Sequence, residues 1–179
     1  MALTRQQALD CFRSDDLIGL GMEAAAVRRR LHPENVVTYC IGVAPGEEPH
    51  SALLPFTTGE DLDARLDHWK SIDTTGLTAL IPWPTVPITT ADGPTAIEYL
   101  KAVAIARMVF DTVDHIGASL AAAPLKVLQM ALRFGADDAG HISPDETLKA
   151  NEQEIRRIIR DAGFLPVERD AAHRVHMLV

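Results

Sequence analysis

The stretch LTALIPWPTVP, residues 77–87, sets an unbroken apolar run directly against Pro82-Trp83-Pro84. A short apolar run without alternation reads as a strand covered on both faces, the mark of a parallel sheet clothed by helices. Proline removes a ladder donor, so the strand is expected to stop there and hand over to a loop, with Trp83 at its carboxyl end. In parallel α/β folds ligands gather at that end. The plainer alternative is a Trp that only caps the core.

Working outward, further apolar runs bounded by turn residues are VVTYCIGV, SALLPF and HIGASLA, with FLPVE and HRVHMLV near the end. Helix starts are announced by a hydroxyl residue with an acid or amide three positions on, which satisfies two orphan N–H groups reciprocally. These pairs are Thr4 with Gln7, Thr57 with Glu60, Thr95 with Glu98 and Ser143 with Glu146, the last strengthened by Pro144. Helices are therefore expected near 4–13, 15–31, 58–72, 94–113, 124–134 and 144–162. In the fourth, Ile97, Leu100, Ala104 and Met108 predict one buried stripe. From Ser51 to Ala136 the alternation of strand and helix predicts three parallel strands side by side. The link at 44–50 is too short for a parallel crossover, so VVTYCIGV and SALLPF are either antiparallel or not neighbours.

The totals exclude several classes. A chain of 179 residues reads as one domain with a core of its own. Within it, 1–50 carry N-terminal helices and the first strand, 51–142 a βαβαβα core, and 143–179 a C-terminal helix and strands. The net charge of −8 argues against nucleic acid as a partner. The basic run Arg28-Arg29-Arg30 falls in a helical pattern and reads as a solvated face. No apolar run approaches the ~20 residues that span a bilayer, so no membrane partner is expected. MALTRQQALD lacks the apolar centre of a secretory signal, which leads us to expect the cytoplasm. Cys11 and Cys40 stand far apart in the chain, and no C-x-x-C or His-rich cluster announces a metal site.

TTGLTALIPWP, AIEYLKAVAIARMVFDTVDHIGAS, VLQMALRFGADDAG and IIRDAGFLPVERD together resemble the C-terminal half of the dehypoxanthine futalosine cyclase family, radical-SAM enzymes of the futalosine route to menaquinone. DDLIGLGMEAAAVRRRLHPENVVTY resembles that family's N-terminal helix and first strand. The resemblance implies an α/β fold, a partial, half TIM-barrel-like sheet of mainly parallel strands with flanking helices. It also implies that Trp83 faces the substrate side. The family's C-x-x-x-C-x-x-C loop, whose three thiolates hold a [4Fe-4S] cluster open to S-adenosylmethionine, has no counterpart here. Neither cluster nor S-adenosylmethionine is therefore expected. Pro55-Phe56 stands where the family has a Gly-His pair. The expected role is a non-radical relative that binds a small molecule or a partner protein, such as a menaquinone-pathway enzyme. An incomplete barrel has two open edges and an apolar face to cover. Either the N-terminal helices with VVTYCIGV and HRVHMLV fold over that face, or a homodimer closes it; the dimer is the expectation.

The residues singled out for chemistry are few. GADDAGH, 135–141, reads as a polar loop in which Asp137 and Asp138 either cap a turn or, with His141, contact a ligand or assist a metal. By the resemblance this loop lies on the substrate side. His115 and Ser119 flank HIGAS and would pair as base and nucleophile only if they touch; a structural histidine is the simpler reading. Asp111 and Asp114 at a helix end read as partners of Arg107. His173 and His176 face opposite sides of a strand, and Asp145 with Glu146 complement a helix start. The ligand-binding candidates are thus Trp83, Ser119, Asp137, Asp138 and His141, with two rival readings: an enzyme of different chemistry, or a subunit whose edge pairs with a complete barrel.

Overall fold

Local signals set most helix starts. Thr4 and Thr95 form complete capping boxes with Gln7 and Glu98, opening α1 (Arg5–Arg13) and α4 (Ala96–Val109). At Thr57 only half of the box forms, with its N–H donating to Glu60, and Asp61 caps α3 (Leu62–Ser71) instead. The other helices are α2 (Leu17–Leu31), α5 (Leu125–Arg133) and α6 (Glu152–Asp161). The strands are β1 (Val36–Ile41), β2 (Ser51–Phe56), β3 (Ala79–Pro84), β4 (His115–Ile116), β5 (Asp138–Ile142) and β6 (Leu165–Arg169). The computed structural model describes residues 2–42, 47–142 and 152–175, so the expected start at Ser143, Asp145, Glu146 and His176 lie outside the described residues.

Every pair of these strands runs parallel, in two ladders ordered β2-β3-β4 and β5-β1-β6. A parallel bridge between Gly117 and Asp138 joins them, giving one curved succession β2-β3-β4-β5-β1-β6. The expected α/β, partial barrel-like sheet is what the structure shows. β1 and β2 are not neighbours, the second of the two alternatives. β1 does not lie over an open face but takes a central place in the sheet, between β5 and β6. The gap between edge strands β6 and β2 is spanned by side chains: Ser51 Oγ meets His173 Nε2 at 3.2 Å, and Arg169 Nη1 donates to Glu48 at 2.5 Å.

The strand of the opening stretch does not stop at its prolines. β3 continues through Pro82, Trp83 and Pro84, paired with Leu54, Pro55 and Phe56 of β2. The carbonyl of Leu80 accepts from Gly117, so Pro82 and Pro84, in step with Leu80, turn their missing donors toward the side of β4. β4 has ended at Ile116, beside Leu80, and no ladder bond is lost. The free edges use the same device. Phe56 faces β3 and Leu165 faces β1, so Pro55 and Pro166 put their donorless nitrogens on the two open edges.

The helices pack on one face of this sheet, where Leu54, Phe56, Leu80, Val37 and Tyr39 are buried. α4 is buried nearly all round from Tyr99 to Val109 rather than along one stripe, because α1 and α2 cover its outer side, while Ile97 is 54% exposed. HIGASLA forms only a two-residue strand, then turns at Ser119. No helix of the described residues is long and apolar enough to cross a membrane.

Candidate functional site

Strand alternation divides each strand between the helices and the sheet's inner face. Phe56 meets the ring of Tyr99 on α4, so Ser51, Leu53 and Pro55 point inward, with Ala79, Ile81 and Trp83 beside them in register. On β1, Tyr39 turns outward to Glu152 and Arg156 of α6, and Thr38 and Cys40 turn inward. Beside the apolar side chains of β2 and β3, the inner face carries charge in two groups.

The first group sits at the amino ends of the strands. Asp137 precedes β5, His115 opens β4 and His32 precedes β1. Arg107, fully buried on α4, donates to Asp137 and to the carbonyls of Gly135 at 3.0 Å and Asp114 at 3.1 Å. Asp137 also accepts from the Ile116 N–H at 2.9 Å and contacts His115 Nδ1 at 2.6 Å and His32 Nε2 at 3.1 Å. Burial alone would raise this carboxyl, yet the charge of Arg107 and the His115 bond hold it well below the usual carboxylate range. For His115 burial pulls downward, and the bond and charge of Asp137 outweigh it, so its pKa is raised. The rings of His32, His115 and His173 stack in a column, with centroids 5.0 Å and 5.1 Å apart. A cavity of about 190 Å³ adjoins this column, walled by Val36, Val167 and Val175.

The second group is built around β5, β1 and β6. GADDAGH is not a polar loop: Asp138 to Ile142 form a fully buried strand. Asp138 accepts from Thr38 Oγ1 at 2.6 Å, from the Gly140 N–H at 2.8 Å and from two nitrogens of Arg169. Neither acid caps a solvated turn, since both are buried among charged partners. Thr38 pairs with Asp138 but Cys40 with His141, so two residues of β1 span three of β5. This bulge is centred on Gly140 at φ +72, where an added Cβ would lie 2.7 Å from the Ala118 carbonyl oxygen. The extra residue turns His141 to the face that carries Cys40, where plain alternation from Asp138 would send it outward. Glu48, ahead of β2, reaches the same place across the gap and contacts Arg169, His141 Nε2 at 2.5 Å and His173 Nε2 at 3.4 Å. Burial pushes Glu48 upward, but these contacts outweigh it and the net shift is strongly downward.

The candidates from sequence therefore scatter. Asp138 and His141 belong to the second group, and Asp137 to the first. Ser119 is buried against Gly140 of the β5 bulge, but its Oγ accepts from the Ala121 N–H and its own N–H donates to Tyr99 OH, so it shapes a turn. His115 bonds Asp137 rather than Ser119. Trp83 stands at the carboxyl end of β3, half-buried. Arg107 pairs with Asp137, not with the side chains of Asp111 or Asp114 as expected, and Arg30 takes Asp111. Arg28 is not solvated: it is 1% exposed, donates to the Val36 carbonyl at 2.7 Å and lies over Phe164. Sequence reasoning missed Glu48, Arg169 and Cys40, whose spacings carry no local signal. Among the described residues two trios offer metal-ligating atoms within 4.8 Å of one another: His32, His115 and Asp137, and Cys40, Glu48 and His141. The thiols of this chain do not by themselves fit the iron–sulfur loop of the resembled family. Cys11 lies on α1 and Cys40 on β1, two thiols on separate elements where three from one loop are needed.

Comparison with known proteins gives a consistent picture. Residues 74–178 match the family described as the CofH/MqnC C-terminal region. Cyclic dehypoxanthine futalosine synthase of Streptomyces coelicolor is 33% identical over 151 residues, covering 75% of this chain and 37% of that protein. Aminodeoxyfutalosine synthase of the same organism is 33% identical over 92 residues, covering 45% and 24%. The 5-amino-6-(D-ribitylamino)uracil–L-tyrosine 4-hydroxyphenyl transferase of Methanococcus aeolicus is 34% identical over 94 residues, covering 46% and 26%. The chain thus spans well under half the length of each of these relatives.

Proposed function

The chain belongs to the CofH/MqnC C-terminal region family, and on that footing we propose that it is a non-radical member that binds a small molecule of the futalosine class. The observation that carries this reading is the gathering of Cys40, His141 and Arg169 at the carboxyl ends of β1, β5 and β6, with Trp83 at the carboxyl end of β3 on the same inner face. Buried charge is costly, by several kcal/mol per ion before pairing, so a face that keeps it where ligands enter such folds supports binding. The valine-walled cavity at the amino ends, about 190 Å³, is below the ~300–1,000 Å³ of ordinary ligand pockets. That end serves stability.

With two cysteines on separate elements, the chain's own residues hold no [4Fe-4S] cluster and run no S-adenosylmethionine chemistry in this reading. It acts beside an enzyme of menaquinone synthesis. Pro55 and Pro166 on the free edges speak against strand pairing in trans. The assembly we propose is a symmetric homodimer made by side chains, for which Leu165 (60% exposed) and Val175 (46%) supply apolar surface near the β6 edge.

Tryptophan fluorescence tests the ligand. Trp69 is fully buried and bonded to the Pro55 carbonyl, so it reports little. Titration with dehypoxanthine futalosine should change the emission of Trp83, and the change should vanish in Trp83→Phe. Saturable binding with no Trp83 signal would move the site elsewhere, and no binding would end the reading. Anaerobic iron–sulfide reconstitution should yield no cluster absorption, and light scattering should report a dimer.

A further inference from the structure

The two potential cation sites differ in what their donors already do. In the amino-end trio Asp137 is matched by Arg107, its oxygens are taken by Arg107, Ile116, His115 and His32, and His32 Nε2 also meets the Asp114 carbonyl at 2.6 Å. Nothing there awaits a partner. In the carboxyl-end trio the side chain of His141 is 4% exposed, and among the described residues neither ring nitrogen makes a hydrogen bond, Nε2 having only an ion-pair contact with Glu48 at 2.5 Å. Buried polar groups are normally satisfied, so an orphaned imidazole facing a thiol and a carboxylate needs a reason.

The charges point the same way. Glu48 and Asp138 are both buried and share one guanidinium, Arg169, which leaves one negative charge without a guanidinium of its own. The Gly140 bulge is what brings His141 to this spot at all.

We propose that Cys40 Sγ, Glu48 Oε1 and His141 Nε2 bind a divalent transition-metal ion, with zinc the fitting element. Thiolate, carboxylate and imidazole are zinc's three protein ligand types, and three of them leave a fourth position for water. On binding, the Cys40 S–H bond breaks, its proton leaves to solvent and a metal–sulfur bond forms, with lone pairs from Glu48 and His141 completing the protein's share. The count then closes: two carboxylates and a thiolate against Arg169 and a dication. Bonds of about 2.0–2.3 Å set tetrahedral ligand atoms roughly 3.5 Å apart, so Glu48 Oε1 and His141 Nε2, 2.5 Å apart, have to open by about an ångström around the ion, while Cys40, within 4.8 Å, closes by about as much at most. Arg169, bridging Glu48 and Asp138, fixes the carboxylate from behind. The inference goes beyond the small-molecule reading and stands with or without an organic ligand.

The test uses the whole 179-residue chain after chelator treatment. Equilibrium dialysis should find one zinc per chain, and cobalt substitution should give a thiolate-to-metal charge-transfer band. The band should survive Cys11→Ser and disappear in Cys40→Ser. His141→Ala should weaken zinc by more than the ~10–100-fold that outer-shell changes cause. Because the wild-type band with its Cys11→Ser control already identifies the sulfur, the result does not depend on the Cys40 variant folding. Absence of bound zinc, a cobalt spectrum without a thiolate band, or a band lost with Cys11→Ser overturns the proposal. Failure of futalosine titration leaves these readouts untouched, so the two readings fall separately.

Discussion

Replacing Arg107 by methionine isolates one fully buried ion pair of the fold. The guanidinium is fully buried and donates to Asp137 and to the carbonyls of Gly135, Val113 and Asp114. Methionine keeps most of the apolar stem and removes the charge. Breaking a buried pair by deleting one partner costs about 3–5 kcal/mol. An independent ceiling on the charge contribution comes from protonation: neutralising an ordinary aspartate at pH 7 costs about 4 kcal/mol, at 1.36 kcal/mol per pKa unit. The two figures agree, so Arg107→Met should lose about 4 kcal/mol and lower Tm by roughly 8–16 °C in a chain of this size. Urea titrations at several pH values measure it. Asp137 is depressed in the wild type, so its stabilisation is present above the unfolded value and is lost as pH falls through the folded one. The gap between wild type and variant should therefore narrow toward acid pH. Arg107→Met combined with Asp137→Asn should recover a good part of the loss, since the neutral amide can still accept from the Ile116 N–H. A single variant costing under about 1 kcal/mol, or a double variant no better than the single, would refute the pairing argument.

His115, raised by Asp137 against the pull of burial, stabilises the fold fully below its unfolded value, and that share is lost as pH rises through the folded value. Wild-type stability should decline above about pH 6.5, with a slope that flattens in His115→Gln when Tm is followed against pH. Gly140→Ala places a Cβ 2.7 Å from a backbone oxygen at positive φ; a loss of about 2–4 kcal/mol by denaturant titration is expected, and a neutral outcome would remove the bulge from the account. Pro55→Val with Pro166→Val restores a donor to each free edge; sedimentation should then show new higher oligomers at nearly unchanged Tm, and identical sedimentation would mean that the edges are blocked by something else.

What was legible in the sequence was local. The boxes at Thr4 and Thr95 are decided within four residues, and the strand–helix alternation after Ser51 is a matter of crossover length. What failed depended on distant partners. The prolines of β3 look like a stop until one knows that β4 is only two residues long and leaves their side of the strand free. The stripe on α4 widens because α1 and α2 settle on its back. Asp137 and Asp138 read as acids of a polar loop, capping a turn or contacting a ligand; each instead found an arginine, 30 residues upstream at Arg107 and 31 downstream at Arg169. Glu48 had no signal, since its partners come from the far ends of β5 and β6.

The two charged groups meet at His173, which stacks on His115 and contacts Glu48, yet they do different work. His32, His115 and Asp137 lie where strands begin, their donors are satisfied, and the adjoining space is small and valine-walled. Charge at that end acts as a clamp that ties β4, β5 and α4 together. Cys40, His141 and Arg169 lie where strands finish, and here, among the described residues, an imidazole makes no hydrogen bond and two carboxylates share one guanidinium. A fold stabilised only for its own sake gains nothing from that imbalance, because a buried unpaired group costs more than the apolar side chain that could replace it. Unpartnered nitrogens also occur at Arg28 and His173, but among the described residues only at His141 do they stand beside a thiol and a carboxylate, and that grouping directs the search for function to the carboxyl ends.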